Sequence, residues 1–244
     1  MKIVVIGESC VDTFIYCTTD RLCPEAPVPV IVPQYTSSNP GMAGNTLENL
    51  KSLTPTATIK LITQTQTINK TRYVEKKSNQ MFIRVDNGEH IVDRFKFSPD
   101  IVDTITEADY VVVSDYDKGF LEDVDIKTIG QLSKVCILDS KRKLTDDTVK
   151  DFTFIKLNEK EHLANQSLKH EQIITTLGDR GAMFKEIIYP TDNPQETIDV
   201  SGAGDTFTAA FITKYFETRS PSTSIKFANK SACKVVSRKG VVTC

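Results

Sequence analysis

Short aliphatic and β-branched runs recur along this chain, separated by segments with helical spacing, and that alternation restricts the fold more than any other feature. Ile3 to Ile6, Ile59 to Thr63, Tyr110 to Ser114, Val135 to Asp139, Phe152 to Lys156 and Gln172 to Leu177 are the candidate core strands. Runs of this kind, flanked by helices, belong to a mainly parallel sheet covered on both faces. Among the intervening segments, Ala43, Leu47 and Leu50 recur at helical spacing, as do Ile126, Ile129 and Leu132. Ser220 and Pro221 mark the start of a last helix, Ile225, Ala228, Ala232 and Val235 form its apolar stripe, and Gly240 ends it. A chain of 244 residues, 39% of them hydrophobic, can bury one such core.

A different texture occupies Asp12 to Tyr35 and Thr71 to Asp86. There FIYC, VPVIV, RYVEKK and QMFIRVD alternate with period two and no helix separates the nearer pairs. These segments are expected to form antiparallel ribbons, read as a β-strand lid over one end of the sheet, with a plain extension of the sheet edge as the alternative. Pro24, Pro27 and Pro29 would stiffen one ribbon and keep it an edge. Only seven residues separate Thr63 from Thr71, too few for a βαβ crossover, so one unit of the sheet is expected to be missing. The expected organisation is a single domain over residues 1–244 with these two lid segments.

Thirty Lys and Arg against 32 Asp and Glu give a net charge of -2, which supplies no basic surface for nucleic acid. The N-terminal MKIVVIGES reads as a first core strand rather than a leader or a membrane span. Six cysteines without a CxxC pair, and three histidines, disfavour a zinc site or a disulfide scaffold. They suit reduced thiols and a cytoplasmic protein.

The stretch that carries chemistry is Asp199-Val-Ser-Gly-Ala-Gly-Asp-Thr-Phe207, which leads into the apolar run TAAFITKYF. Gly202, Ala203 and Gly204 allow consecutive backbone N–H groups to point inward at the first turn of a helix, where the dipole favours anionic oxygens. Asp205 lies in that turn. A carboxylate there can take the proton of an attacking hydroxyl while the amides stabilise charge on a transferring phosphoryl group. The plain alternative is a helix start in a glycine-rich turn.

DVSGAGDTF resembles the signature of the PfkB, or ribokinase-like, carbohydrate kinases. That resemblance implies a three-layer α/β fold with a β-strand lid, an ATP-dependent phosphotransferase and Asp205 as catalytic base. It extends along nearly the whole chain. Gly7 and Asp12 match the first strand and a sugar-binding Asp, and Gly41-Met-Ala-Gly-Asn45 matches a GGxxN element in which Gly41 and Asn45 hold the sugar and Met42 replaces the second glycine. Asn158-Glu-Lys-Glu161 matches the family's NxxE element, which implies that Glu161 acts on Mg²⁺ through water. Thr176-Leu-Gly178-Asp-Arg-Gly181 matches a nucleotide-binding turn, and Asn229 and Arg238-Lys-Gly240 match the helix beside the adenine. The same resemblance implies a monovalent cation, K⁺, near Asp199 and Ser201. No GxxxxGK[ST] loop is present in the sequence, so the phosphates must lie across the GAGD turn.

Within that family, Arg21-Leu-Cys-Pro-Glu-Ala-Pro-Val-Pro-Val30, Ser114-Asp115-Tyr-Asp-Lys118-Gly119, Asp139-Ser-Lys141 and Ser78 to Asp86 look like runs of the heptose 7-phosphate kinases. The implied reaction phosphorylates the anomeric hydroxyl of a heptose 7-phosphate in lipopolysaccharide synthesis. Asp115, Lys118 and Arg84 would contact the sugar phosphate and Lys141 the nucleotide. Arg21, Arg72, Lys77 and Arg84 lie in the lid and could clamp the second phosphate. Two other readings stay open, a kinase of another sugar or nucleoside and an inactive regulator that binds a sugar phosphate or nucleotide. A homodimer through the lid is expected, with no nucleic-acid or membrane partner, and the adenylyl step that some relatives carry is expected on another chain.

Overall fold

The computed structural model describes residues 1–191 and 202–236. Asp199, Ser201, Arg238 and Gly240 lie outside them. In chain order the elements are β1 (Lys2–Gly7), β2 (Ser9–Leu22), β3 (Pro29–Met42), α1 (Ala43–Leu53), β4 (Thr58–Ile62), β5 (Ile68–Glu75), β6 (Met81–Asn87), α2 (Pro99–Glu107) and β7 (Tyr110–Asp115). They continue with α3 (Asp123–Leu132), β8 (Cys136–Ser140), α4 (Asp146–Val149), β9 (Phe154–Asn158), α5 (Glu159–Ala164), β10 (Ile173–Thr176), β11 (Ala182–Phe184), β12 (Ile187–Tyr189), α6 (Ala203–Thr218) and α7 (Pro221–Val236).

Eight strands form the main sheet in the order β12-β11-β10-β9-β8-β7-β1-β4. It is parallel from β4 to β10, and β11 and β12 add an antiparallel edge. The central strands β1 and β7 are apolar on both faces because both faces are covered. Ile3 and Val5 of β1 pack with Leu50 of α1, Phe211 of α6 and Ile225 of α7, while Val4 and Ile6 meet Ile105 of α2 and Ile126 of α3. This is the three-layer ribokinase-like architecture. Between β4 and β5 there is no further helix or strand, so the sheet ends on β4 and lacks the unit that the short Thr63–Thr71 spacing excludes.

A second sheet, β3-β2-β5-β6, is the lid. Its two ribbons, β2–β3 and β5–β6, are antiparallel, and a parallel pairing of β2 with β5 joins them. The strands run beyond the expected Asp12–Tyr35 and Thr71–Asp86, since β2 and β3 continue down to Ser9 and Met42 at the root of the sheet. Register shifts at Tyr16/Cys17 and Thr19/Arg21 supply the bends that let so long a ribbon curve. No helix among the described residues is long and apolar enough to cross a membrane.

Candidate active site

Helix α6 begins at Gly202, whose left-handed backbone (φ 80°, ψ −2°) suits glycine and turns the chain into the helix. Gly204 answers a different need. A Cβ there would lie 2.9 Å from the Lys156 ammonium, which is buried beneath the turn. Asp205 follows in the first turn and is only 5% exposed.

Both carboxylate oxygens of Asp205 are held. Asn45 in α1 donates its amide to Oδ2 at 2.9 Å, and the Tyr116 hydroxyl donates to Oδ1 at 2.6 Å. Asn45 is itself oriented by Asn49, one turn on, which donates to its Oδ1 at 3.0 Å and accepts from Thr206 of α6 at 3.1 Å. The ladder locks α1 against α6 across the site. Burial, reinforced by the Asp139 charge, pushes the Asp205 carboxyl up to about 6 against the opposing pull of Tyr116, Asn45 and Lys156.

Two cavities meet at this residue. The first, of about 340 Å³, lies under the lid and is lined by Asp12, Gly41, Met42, Asn45, Lys70, Arg72, Arg84, Tyr116, Lys118, Lys141, Gly202 and Asp205. The second, of about 580 Å³, opens on the other side over the carboxyl ends of β8, β9 and β10, the usual ligand position in such sheets. Its lining includes Asp139, Lys141, Lys156, Asn158, Thr176, Gly178, Gly202, Gly204 and Asp205. Tyr116, Lys141, Gly202 and Asp205 belong to both. A group in either cavity can therefore reach the same carboxylate and the same glycine turn.

Most of the residues named from sequence converge here, with clear exceptions. Asp12 and Arg72 form a buried ion pair, Gly41 packs against Asp12 and Cys10, and Arg84 lies next to Arg72 across the β5–β6 ladder with its guanidinium clamped by Asp86 at 2.7 Å. Asp115 does not join them. Its side chain is fully enclosed and spent on Arg142 (2.7 and 2.9 Å) and Ser140 (2.5 Å), which makes it a structural anchor below the loop rather than a sugar ligand. Asn229 is likewise turned aside and donates to the Tyr189 carbonyl at 2.7 Å, bracing α7 against β12 outside both linings. Glu161 closes a capping box with Asn158 and faces Lys141 at 3.4 Å, so it lies one residue behind the second cavity. Gly181 (φ 94°) shapes the turn after β10 without entering the lining. Arg21 pairs with Val30 in the distal part of the β2–β3 ribbon and Lys77 lies in the exposed turn after β5, so neither reaches the first cavity.

Lys70, Tyr116 and Lys156 were not singled out from the sequence. Lys70 shares a strand face with Ile68, Arg72 and Val74, and its alternation with Arg72 was the available signal. Lys156 interrupts the apolar run of β9, where a lone charge in a doubly covered strand signals a buried partner. The backbone of Met42 keeps the positive φ (58°) proper to the glycine that it replaces, and its side chain is buried against Cys10 and Ile68.

The sequence profile described as pfkB family carbohydrate kinase matches residues 55–244. The chain belongs to this family. It is accordingly a phosphotransferase of the carbohydrate-kinase type. Among curated proteins, this pfkB-family chain is 30% identical to the bifunctional protein HldE of Helicobacter pylori strain J99 over 98% of its length and 63% of the relative. It is 30% identical to the protein of the same name from a Nitratiruptor species over 99% and 63%. The chain thus spans about 63% of the curated relatives it matches. Its fold is similar to Arabidopsis thaliana ribokinase complexed with ribose and ATP, with a TM-score of 0.72 at 16% identity over 98% of this chain and 93% of that one. It is similar as well to Escherichia coli phosphofructokinase-2 in complex with potassium, at 0.72 and 14% over 99% and 94%.

Proposed function

We propose that this chain transfers the γ-phosphoryl group of ATP to the anomeric hydroxyl of a heptose 7-phosphate. The observation that carries this reading is the placement of Asp205 between two cavities, one of which gathers Lys70, Arg72, Arg84, Lys118 and Lys141 around the two carboxylates of Asp12 and Asp205. Each of these cations has a carboxylate partner, Arg72 in Asp12, Lys70 and Lys118 in Glu89, Arg84 in Asp86 and Lys141 in Glu161. Such a convergence of charged donors able to turn to an incoming anion suits an acceptor that already bears a phosphate. The names of the HldE relatives and the lid resemblance point the same way.

In this reading the sugar lies under the lid with its hydroxyl on Asp205, and the nucleotide lies across the second cavity with its γ-phosphate at Gly202 to Gly204. The hydroxyl proton passes to Asp205 as its oxygen attacks phosphorus in line and ADP departs. The turn amides and Lys156 face the charge that spreads over the phosphoryl oxygens. Mg²⁺, when bound with ATP, would neutralise the phosphates. Asp139 and the Asn158 amide offer the hard oxygen donors it prefers, with Glu161 behind them to orient its waters. A K⁺ site near Asp199 and Ser201 remains part of the proposal by analogy with the potassium-bound neighbour.

We also infer a cytoplasmic protein that pairs through the lid, whose strands expose Val32, Tyr35, Ile83 and Val85. The deciding experiment is ADP release by the purified chain with heptose 7-phosphate, ribose, fructose 6-phosphate and a nucleoside. A preference for the heptose phosphate of at least about a hundredfold in kcat/KM supports the assignment. A preference for an unphosphorylated sugar overturns it.

A further inference from the structure

Tyr116 is the residue of the junction that no catalytic assignment yet uses. Its hydroxyl is 2.6 Å from Asp205 Oδ1, its ring lies in the lining common to both cavities, and the Lys141 ammonium stands 4.6 Å from the centre of that ring. The loop that carries it is fixed from beneath by Glu8. The Glu8 carboxylate is fully buried and accepts the backbone N–H groups of Tyr116 (2.9 Å), Lys118 (3.0 Å) and Phe120 (3.2 Å). A buried carboxylate that receives three amides is a costly element unless the loop geometry it enforces is needed.

We propose that Tyr116 is a positioning residue that holds the Asp205 carboxylate as a hydrogen-bonded anion facing both cavities, and that Glu8 is the buried anchor which fixes Tyr116 there. The proposal rests on Asp205 being the base. An O–H donated to a carboxylate favours its charged form, so the hydroxyl keeps Asp205 available near neutrality despite its burial. Asn45 makes the matching contact to Oδ2, and between them the two donors leave one lone pair on each oxygen for the acceptor hydroxyl. The other charged or titratable groups facing this pair are Asp139 on β8, Lys141 after it, Lys156 on β9, Cys10 and Asp12 on β2, Lys70 and Arg72 on β5, Arg84 on β6, and Lys118 in the loop itself. Burial pushes the Cys10 thiol up to about 12, so it stays neutral through the relevant range.

The test substitutes Tyr116→Phe, which keeps the ring, the Lys141 contact and the backbone that Glu8 holds. Carboxyl ¹³C NMR titration of the ligand-free protein, with the Asp205 signal identified by its loss in Asp205→Asn, needs no knowledge of the acceptor. The midpoint in Tyr116→Phe is expected about one pH unit above wild type, and kcat/KM with the sugar that gives turnover is expected to fall about tenfold below the limb while KM for ATP is unchanged. Glu8→Gln is expected to move the same limb in the same direction; if it fails to fold, Tyr116→Phe alone decides. An unmoved midpoint in a folded Tyr116→Phe protein overturns the role of Tyr116. Full turnover in Asp205→Asn would instead overturn the assignment of the base, so the two failures are separable.

Discussion

The Lys156 ammonium lies 2.9 Å from Asp139 Oδ2 in the interior, directly beneath the glycine turn that opens α6. Thr208 of α6 donates to the same oxygen at 3.1 Å, so strands β8 and β9 and helix α6 share one ionic contact. The pair forms one wall of the second cavity.

Breaking that pair leaves an unmatched charge in the core. Lys156→Met is expected to cost about 3–5 kcal/mol of stability, whereas Lys156→Met with Asp139→Asn removes both charges and costs less than the single change. Chemical denaturation of the two variants checks this. With Asp139→Asn measured alone as well, single-variant costs that simply add in the double variant would show that the pair is not coupled.

Asp205→Asn is expected to lower kcat by at least about a thousandfold while the affinity for ATP, measured calorimetrically, changes less than about threefold. Removal of a base harms the transition state and leaves the nucleotide contacts in place.

The acid limb of kcat/KM is expected near pH 6, with activity falling about tenfold per unit below it as Asp205 takes up a proton. The same shift acts on stability with the opposite preference. The folded state binds this proton more tightly than the unfolded chain, so the contribution of Asp205 is most favourable below about pH 4 and declines as pH rises through 6. Asp205→Asn should therefore melt higher than wild type at pH 8, by at most about 3 kcal/mol, and the gap should close toward pH 4. Thermal scans at the two pH values measure it.

Arg84→Ala is expected to raise KM for the phosphorylated sugar about ten- to a hundredfold with KM for ATP unchanged, since a charge-assisted contact to phosphate is lost from one cavity alone. Arg21→Ala, whose side chain stays outside that cavity, should leave both constants alone. Equal effects in the two variants would remove the lid cations from substrate recognition.

The layered sheet could be read directly from residues 3–6 and 110–113, because a strand buried on both faces is apolar at every position, whereas residues 59–63 carry Lys60 on the half-covered edge strand β4. The missing crossover could be read from the length of Thr63 to Thr71. The glycine turn and Asp205 were equally visible, since only small residues allow an amide-lined helix start. Contacts between distant strands were harder to see. Asp115 resembles a ligand in sequence, but Arg142, arriving from the next strand end, takes its carboxylate. Asn229 sits on the expected helix and is captured by a carbonyl of β12. Tyr116 stands within the Ser114–Gly119 run, but an aromatic in a loop carries no periodic signal that would give it a role; only the fold brings residues 45, 116 and 205 together.

Glu8 is the one residue between β1 of the main sheet and β2 of the lid. Its carbonyl accepts the amide of Ala43 at 2.9 Å, and its side chain is knitted into the 116–120 loop. The stalk of the lid is thus clamped where a pivot would ordinarily be. Any bending of the lid is therefore expected farther out, at the irregular steps of the long ribbon near Tyr16 and Thr19, with the floor around the carboxylate held still.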